Sequence, residues 1–586
     1  MQTKRRKIID DSQPRTSSQS IDARIKHGSS VRRRDWGLDT VTVVPALLLV
    51  RLIAATYSVI NDCDEVYNYW EPLHLFLHKE GFQTWEYSPI YAIRSYFYIY
   101  LHYIPAFLFT YFGFSKIAVF TLVRVTLGLF CLIGEFYAYR AICKKINEST
   151  GRFFIFLTIF SSGVFQASTA FVPSSFCMAL CFYIIGAYLN ENWKLGILCV
   201  AFSTLVGWPF SAILGLSIVI RMLFVKRLVL DFIVIASVSG VSIGLMQFAV
   251  DSYYFGKPVI APLNIVLYNV LSGPGPSLYG VEPLSYYIKN LIVNWNVAVL
   301  PAAFGFLLSV CVSIKQDSKF KKGAVVERIS PVVWLTATAA LWLAIFGSQP
   351  HKEERFLFPV YPFLALFTAI ACDRVGRFVL NSLPIGRLFN TVFIALFAIL
   401  SISRSYSIHV NYGAHIGVYR ELNEQLAFGP GRQELDTTTR ICVGKEWHRF
   451  PSSFFVPNFD RNGRKVEMSF LQSEFRGLLP KQFENASTLI EKTRHEPSDM
   501  NDQNREEVSR YVDLNSCSYV IDADMPVTSK EPDFRQMPQS WKAIVSLPFI
   551  DASRSTRFFG LPRAFYVPYY SEMSNSITTY TLYRRL

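Results

Sequence analysis

Apolar stretches of roughly 17–24 residues recur along the chain, the length that a hydrocarbon core about 30 Å thick asks of a crossing helix. Such runs read near 40–60, 117–139, 153–171, 175–190, 194–207, 208–224, 228–250, 293–314, 330–347, 355–372 and 388–404. They predict a polytopic α-helical membrane protein with about eleven transmembrane helices, nine to thirteen being the bounds. A further apolar stretch, 97–115, follows a polar, aromatic loop and ends in Phe112-Gly113-Phe114-Ser115. It reads as a twelfth span or as a juxtamembrane helix. Two segments lack this pattern. Residues 1–39 are polar and basic, which suits a disordered arm. Residues 405–586 mix helix-like stretches such as 416–427 with short strand-like runs, Arg440-Ile441-Cys442-Val443 and Tyr519-Val520-Ile521-Asp522. They are long enough for one soluble α/β domain.

Composition agrees. Of the 586 residues 51% are hydrophobic and only 17% charged, with a positive mean hydropathy of 0.26, where an ordinary soluble domain is about 25% charged. A string of soluble domains and a disordered chain are both excluded. The net charge of +14 would suit a nucleic-acid binder unless its position says otherwise, and it does. With 97–115 not crossing, the loops 140–152, 191–194, 221–231, 315–328 and 373–387 hold 16 Lys/Arg, and 1–39 adds ten. The opposite loops 61–96, 251–292 and 348–355 hold six. Positive loops stay cytosolic. The N-terminus is therefore expected in the cytosol, with the first span as an uncleaved signal anchor, and 61–96, 348–355 and 405–586 in the lumen. Nucleic acid is not an expected partner. On this topology Asn485-Ala486-Ser487 is an expected glycosylation acceptor. Asn147-Glu148-Ser149 is cytosolic and expected unmodified. A Cys442–Cys517 disulfide is one of the pairings open to the cysteines on the oxidising side.

Chemistry concentrates in two luminal loops. The first runs Asp62-Cys63-Asp64-Glu65-Val66-Tyr67-Asn68-Tyr69-Trp70-Glu71-Pro72-Leu73-His74, followed by Gln83-Thr84-Trp85-Glu86-Tyr87 and Arg94. Its acids suit the first turn of a helix, and its rings suit an interfacial aromatic belt. Rings interleaved with carboxylates and amides equally suit sugars, whose hydroxyls need acceptors and whose apolar faces stack. The second loop, His351-Lys352-Glu353-Glu354-Arg355, puts five ionisable side chains in a row at a helix mouth, where such residues are costly and commonly functional. An ion-pair network is the structural alternative. His351, Lys352 and Arg355 are candidates for a phosphate, as is Arg124 inside the second apolar run. Arg51, mid-span, calls for an internal acid. No Cys/His spacing of a zinc site is present. A transporter would be expected to show inverted repeats and midplane sites in broken helices, and neither is evident.

These loops resemble a known family. His351–Pro362 closely resembles the signature of glycosyltransferase family 22, the dolichyl-phosphate-mannose mannosyltransferases of the GT-C superfamily. Asp62–His74, Gln83–Pro89 and Tyr91–Tyr96 are similar to the members that form α-1,2 linkages in lipid-linked oligosaccharide assembly. Gln166–Ser175 and Gly207–Phe210 fit the same pattern. The resemblance covers about 40–410 and implies a GT-C catalytic domain with the loop 61–96 and the helix 97–115, followed by a luminal domain from 405. It implies endoplasmic reticulum membrane lipids as surroundings, dolichyl-phosphate mannose as donor, and a dolichyl-diphosphate-linked oligosaccharide as acceptor. The α-1,6 step of the same pathway and glycosylphosphatidylinositol-anchor mannosyltransferases are the alternatives within the family. A β-linked donor giving an α-linked product requires inversion, and so a carboxylate to take the acceptor proton. Asp64 is the first candidate and Glu65 the second. Tyr69, Trp70, Glu71, His74, Gln83, Trp85, Glu86, Tyr87, Arg94, Glu353 and Glu354 are the candidates for holding sugar. No cofactor and no metal are expected, because a departing monophosphate can be held by the basic cluster alone.

Overall fold

The computed structural model describes residues 40–271, 275–309, 330–380, 385–429, 438–525, 528 and 530–586. The basic arm 1–39 and the whole 315–328 loop lie outside the described residues, as does part of 373–387. The chain is a helical membrane bundle carrying a domain with a five-stranded sheet. The bundle comprises α1 (Thr40–Tyr57), α2 (Cys63–His78, π-helical over Val66–Trp70), α3 (Tyr96–Tyr111), α4 (Lys116–Lys145), α5 (Glu148–Phe160), α6 (Pro173–Leu189), α7 (Trp193–Gly207), α8 (Pro209–Val225), α9 (Val229–Phe255), α10 (Ala261–Leu271), α11 (Leu284–Leu308), α12 (Val332–Ser348), α13 (Tyr361–Leu380) and α14 (Ile385–Tyr412). Among the described residues, six stretches are long and apolar enough to cross a bilayer: α1, α4, α9, α11, Glu354–Gly376 and Leu388–Tyr412. The helices α6, α7, α8, α10 and α12 are apolar but shorter. Every predicted span with described residues holds helix. The boundaries moved, however: α11 starts at Leu284, nine residues before the apolar run, and α4 continues to Lys145.

Large apolar side chains that face outward cover the long helices, Ile233, Val238 and Leu245 on α9 and Ile399 and Ile402 on α14 among them. Such a surface is stable only against lipid. Polar groups within the bundle find each other. Arg51 on α1 meets Glu135 on α4 at 2.5 and 3.1 Å, and donates to the Thr158 carbonyl and to Ser168; the expected internal partner of Arg51 is Glu135. Close approach demands a missing side chain at Gly305, where a Cβ would lie 1.8 Å from the Phe367 carbonyl oxygen, so α11 packs directly on the α13 backbone.

The boundary expected at 405 falls inside α14, which runs unbroken to Tyr412. After Gly413 alone, α15 (Ala414–Phe428) begins the C-terminal domain. Its strands are β2 (Thr438–Val443), β3 (Lys465–Phe470), β5 (Tyr519–Ala523), β6 (Trp541–Ile550) and β7 (Ile577–Arg585), in the order β3-β2-β5-β7-β6. The β2 strand runs parallel to β3 and β5, whereas β7 is antiparallel to β5 and β6. The Cys442–Cys517 disulfide is present, tying β2 to the residues before β5. Two short strands join the domain to the bundle: β1 (Phe82–Gln83), in the first loop, pairs antiparallel with β4 (Lys481–Gln482).

Candidate active site

The two polar loops, almost three hundred residues apart in sequence, meet on one guanidinium. Asp62 caps α2, accepting the Asp64 N–H at 3.0 Å, as an acid at a helix start should. Its other oxygen receives Arg355 Nη1 at 2.7 Å, and Asp64 receives Nη2 at 2.6 Å. The remaining Arg355 nitrogen, Nε, pairs with Glu353. The planar fork of arginine is suited to holding several carboxylates at once. Burial pushes the Asp62 carboxyl up to about 7, with Arg355 pulling the other way and Asp64 and Glu353 adding to the rise. Burial acts upward on Asp64 as well, but Arg355 and Arg94 outweigh it and hold Asp64 below the ordinary carboxylate value.

A second pair stands beside the first. Arg94 donates to Glu86 and to the Tyr69 hydroxyl, both at 2.8 Å. His351 bonds Glu353 at 2.9 Å and the Gly280 carbonyl at 2.8 Å. Burial lowers the His351 pKa, but the bonds to Glu353 and Gly280 more than reverse this, so its charged form is favoured.

These groups line a cavity of about 830 Å³ between the bundle and the C-terminal domain. Of the residues singled out from the sequence, Asp64, Tyr69, Trp85, Glu86, Arg94, His351, Glu353 and Arg355 stand on its wall. The others do not, and all but Gln83, whose buried amide nitrogen has no hydrogen-bond partner, are engaged elsewhere. Glu65 accepts Trp70 Nε1 at 3.1 Å and the Phe171 N–H at 2.9 Å in the protein interior, a poor position for a base. Trp70 is buried with it against Phe120. Glu71 accepts from Phe82 N–H, Ser452, and the N–H and hydroxyl of Ser453 at 2.7–3.0 Å, and so holds the C-terminal domain to α2. His74 is bonded to the Glu80 carbonyl and Tyr87 to that of Asn68, and Gln83 is buried in β1. Lys352 turns away to the carbonyls of Glu282 and Gln349. Glu354 accepts Asn294 at 2.8 Å. Arg124 is buried on Ser58 and Thr169 and off the cavity wall. Burial explains most of these departures: on a helix of 3.6 residues per turn only one face looks into the cavity, and the rest turn to the core whatever their chemistry.

The wall also contains groups that the sequence reading did not single out as site residues. Trp208 stands there, from a motif already noted, with Tyr268, Asn269 and Tyr279. The C-terminal domain contributes Trp447, Phe475 and Asn504. Trp447 and Phe475 pack with ring centroids 4.7 Å apart, and Tyr67 donates to the Trp447 carbonyl at 2.8 Å. No local pattern announces these residues, because only tertiary packing brings the domain over the loop.

Carboxylates, cationic side chains and aromatic faces thus line one cavity, a set of groups suited to holding a sugar. The Alg9-like mannosyltransferase family model matches residues 42–457. The chain belongs to this family. It is 60% identical to alpha-1,2-mannosyltransferase algn-9 of Caenorhabditis elegans, over 96% of this chain and 94% of that protein. It is 40% identical to alpha-1,2-mannosyltransferase ALG9 of Homo sapiens, over 93% and 89% respectively. As a family member it is an α-1,2-mannosyltransferase of lipid-linked oligosaccharide assembly. The crystal structure of ArnT from Cupriavidus metallidurans bound to undecaprenyl phosphate superimposes with a TM-score of 0.51 at 11% identity, covering 86% of this chain and 96% of that one. This likeness shows the GT-C fold.

Proposed function

We propose that the chain takes mannose from dolichyl-phosphate mannose and passes it, with inversion, to a dolichyl-diphosphate-linked oligosaccharide at the luminal face of the endoplasmic reticulum. The observation that carries this reading is the Arg355 clamp across Asp62, Asp64 and Glu353 on the cavity wall. A departing dolichyl phosphate is an oxyanion, and preorganised cations at its position lower the barrier. When the donor phosphate draws on Arg355 and His351, Asp64 loses part of its ion pair and becomes a better base for the acceptor hydroxyl. Glu86, Arg94, Tyr69 and Trp85 line the place for sugar. The excess of Lys/Arg in one set of loops supports a cytosolic N-terminus and a luminal site, and exposed Asn485 is then open to glycosylation.

Cys63 and the two aspartates bring three potential metal-ligand atoms within 4.8 Å of one another, but both carboxylates are already engaged by Arg355. This supports a reaction that runs without metal. Asp62 favours a second assignment of the base, since burial holds its carboxyl near neutrality.

The test is purified, reconstituted enzyme supplied with dolichyl-phosphate mannose and lipid-linked oligosaccharide. Asp64→Asn should lower transfer about 10²–10⁴-fold, the usual weight of a general base, with the protein still folded and monodisperse. Unchanged transfer removes Asp64 from that role. Treatment with a chelator should leave the rate intact; loss restored by a divalent ion would overturn the metal-free reading.

A further inference from the structure

The C-terminal domain carries an apolar, aromatic surface that the site does not use. Between β6 and β7, residues 557–574 form short helical turns that present several large side chains outward. Phe559 is fully exposed, Tyr569 and Met573 are 80% exposed, and Phe558 is 62% exposed. Phe558 and Phe559 both have positive φ, at 50° and 59°, a conformation that bulky residues rarely adopt. The backbone there is held in an unfavourable state while two phenylalanines are presented outward.

What this surface faces follows from its attachment. The segment is bonded to the last turns of α14, not to the sheet alone. Ser403 donates to the Tyr566 carbonyl at 2.8 Å, Arg404 to the Ala564 carbonyl at 3.2 Å and Ser407 to the Arg563 carbonyl at 2.8 Å. Tyr566 N–H returns a bond to Ser403, and its ring packs on Tyr406, 4.9 Å between centroids. Residues 403–407 lie within Leu388–Tyr412, a stretch apolar and long enough to cross a bilayer. At about 1.5 Å per residue, they sit roughly 8–14 Å inside its end. The loop is therefore fixed at the depth of headgroups and upper acyl chains. Its apolar surface continues the outward-facing Ile399, Ile402 and Tyr406 of α14, already a lipid-facing row. Exposed Arg554 and Arg557 flank it, where lipid phosphates would lie. Tyrosines and phenylalanines beside arginines are what an interfacial segment carries.

We propose that residues 557–574 are a membrane-embedded foot of the C-terminal domain, its occupant the interfacial layer of the bilayer rather than a protein partner. The foot adds to the holds made by the β1–β4 pairing and by Glu71, and so helps to fix the height of Trp447 and Phe475 over the cavity. The foot rests on α14 and on its own domain, away from the cavity, so it is independent of the identity of donor and acceptor.

The test uses the full-length protein in phosphatidylcholine vesicles, with or without bromine on the upper acyl-chain carbons. Phe559→Trp and Met573→Trp are compared with Phe459→Trp, a replacement at an exposed site elsewhere on the domain. Since the chain has ten tryptophans, the quantity read is the emission that each variant adds to the parent's. Variants that keep parental mannosyl transfer are folded and enter the comparison. Bromination should cut the emission added at 559 or 573 at least twofold, leaving that at 459 unchanged. Added emission at both positions as insensitive to bromine as that at 459 would overturn the proposal and assign the surface to water or to a protein.

Discussion

Asp62 and Asp64 share one arginine, yet their surroundings pull them apart, Asp62 up to about 7 and Asp64 below its ordinary value. Two carboxylates driven in opposite directions is how one site separates proton-accepting from charge-holding roles. The pH dependence of kcat/KM discriminates between them. A base works only when unprotonated. With Asp64 as base its own titration leaves no acid limb near neutrality, because its pKa lies below that of an ordinary aspartate. An activity that falls with decreasing pH through 7, and loses that limb in Asp62→Asn, would transfer the role to Asp62. Glu71 gives a contrasting case. It is as acidic in sequence as Asp64 but spends both oxygens on Phe82, Ser452 and Ser453. Glu71→Ala leaves those buried donors without an acceptor, at about 1–3 kcal/mol for each such group. The expected result is a lower midpoint of thermal unfolding, followed by tryptophan fluorescence, with the pH profile of surviving enzyme unchanged.

At the scale of elements, the bundle depends on polar contacts that apolar patterning does not reveal. The buried Arg51–Glu135 pair joins α1 to α4. Removing one partner strands the other in a low dielectric, at about 3–5 kcal/mol. Glu135→Gln should therefore markedly lower the thermal midpoint in detergent. The double replacement Arg51→Met with Glu135→Leu should recover much of the loss, since well-packed apolar residues often match a buried pair. No recovery would mean that the bonds of Arg51 to Thr158 and Ser168 carry the contact instead. The same elements show how far a sequence can be read. Apolar run length found the helices because bilayer thickness sets it. It missed where helices begin, as at Leu284, since a helix outlasts its apolar face wherever backbone hydrogen bonds can continue.

For the whole molecule, the candidate site is legible only by halves. Chemistry-bearing residue types in loops 61–96 and 348–355 were evident, but which of them face the cavity was not. Tyr67, Asn68 and Tyr69 face the cavity from a π-helical turn, whereas Trp70 at its end and Glu71 and His74 in the α-helical turns that follow do not, and a residue's direction there depends on tertiary packing. The domain's share was invisible, because the contribution of Trp447 and Phe475 to the wall requires the β1–β4 pairing that brings β4 to Phe82. This joint construction divides the labour of the cavity. The clamp and Arg94 belong to the bundle and can be formed without the domain; the rings of Trp447 and Phe475 cannot reach the site without it. On the proposed reaction, the bundle side would take the donor phosphate, and the domain side the bulky, soluble oligosaccharide. Trp447→Ala removes an apolar face from that side while leaving the Trp447 carbonyl that receives Tyr67. It should raise KM for the lipid-linked oligosaccharide about tenfold, the equivalent of about 1.4 kcal/mol, with KM for dolichyl-phosphate mannose and kcat at saturation nearly unchanged. Initial rates with each substrate varied in turn would measure both constants. A rise confined to the donor would place the lipid phosphate under the domain and reverse the two ends of the cavity.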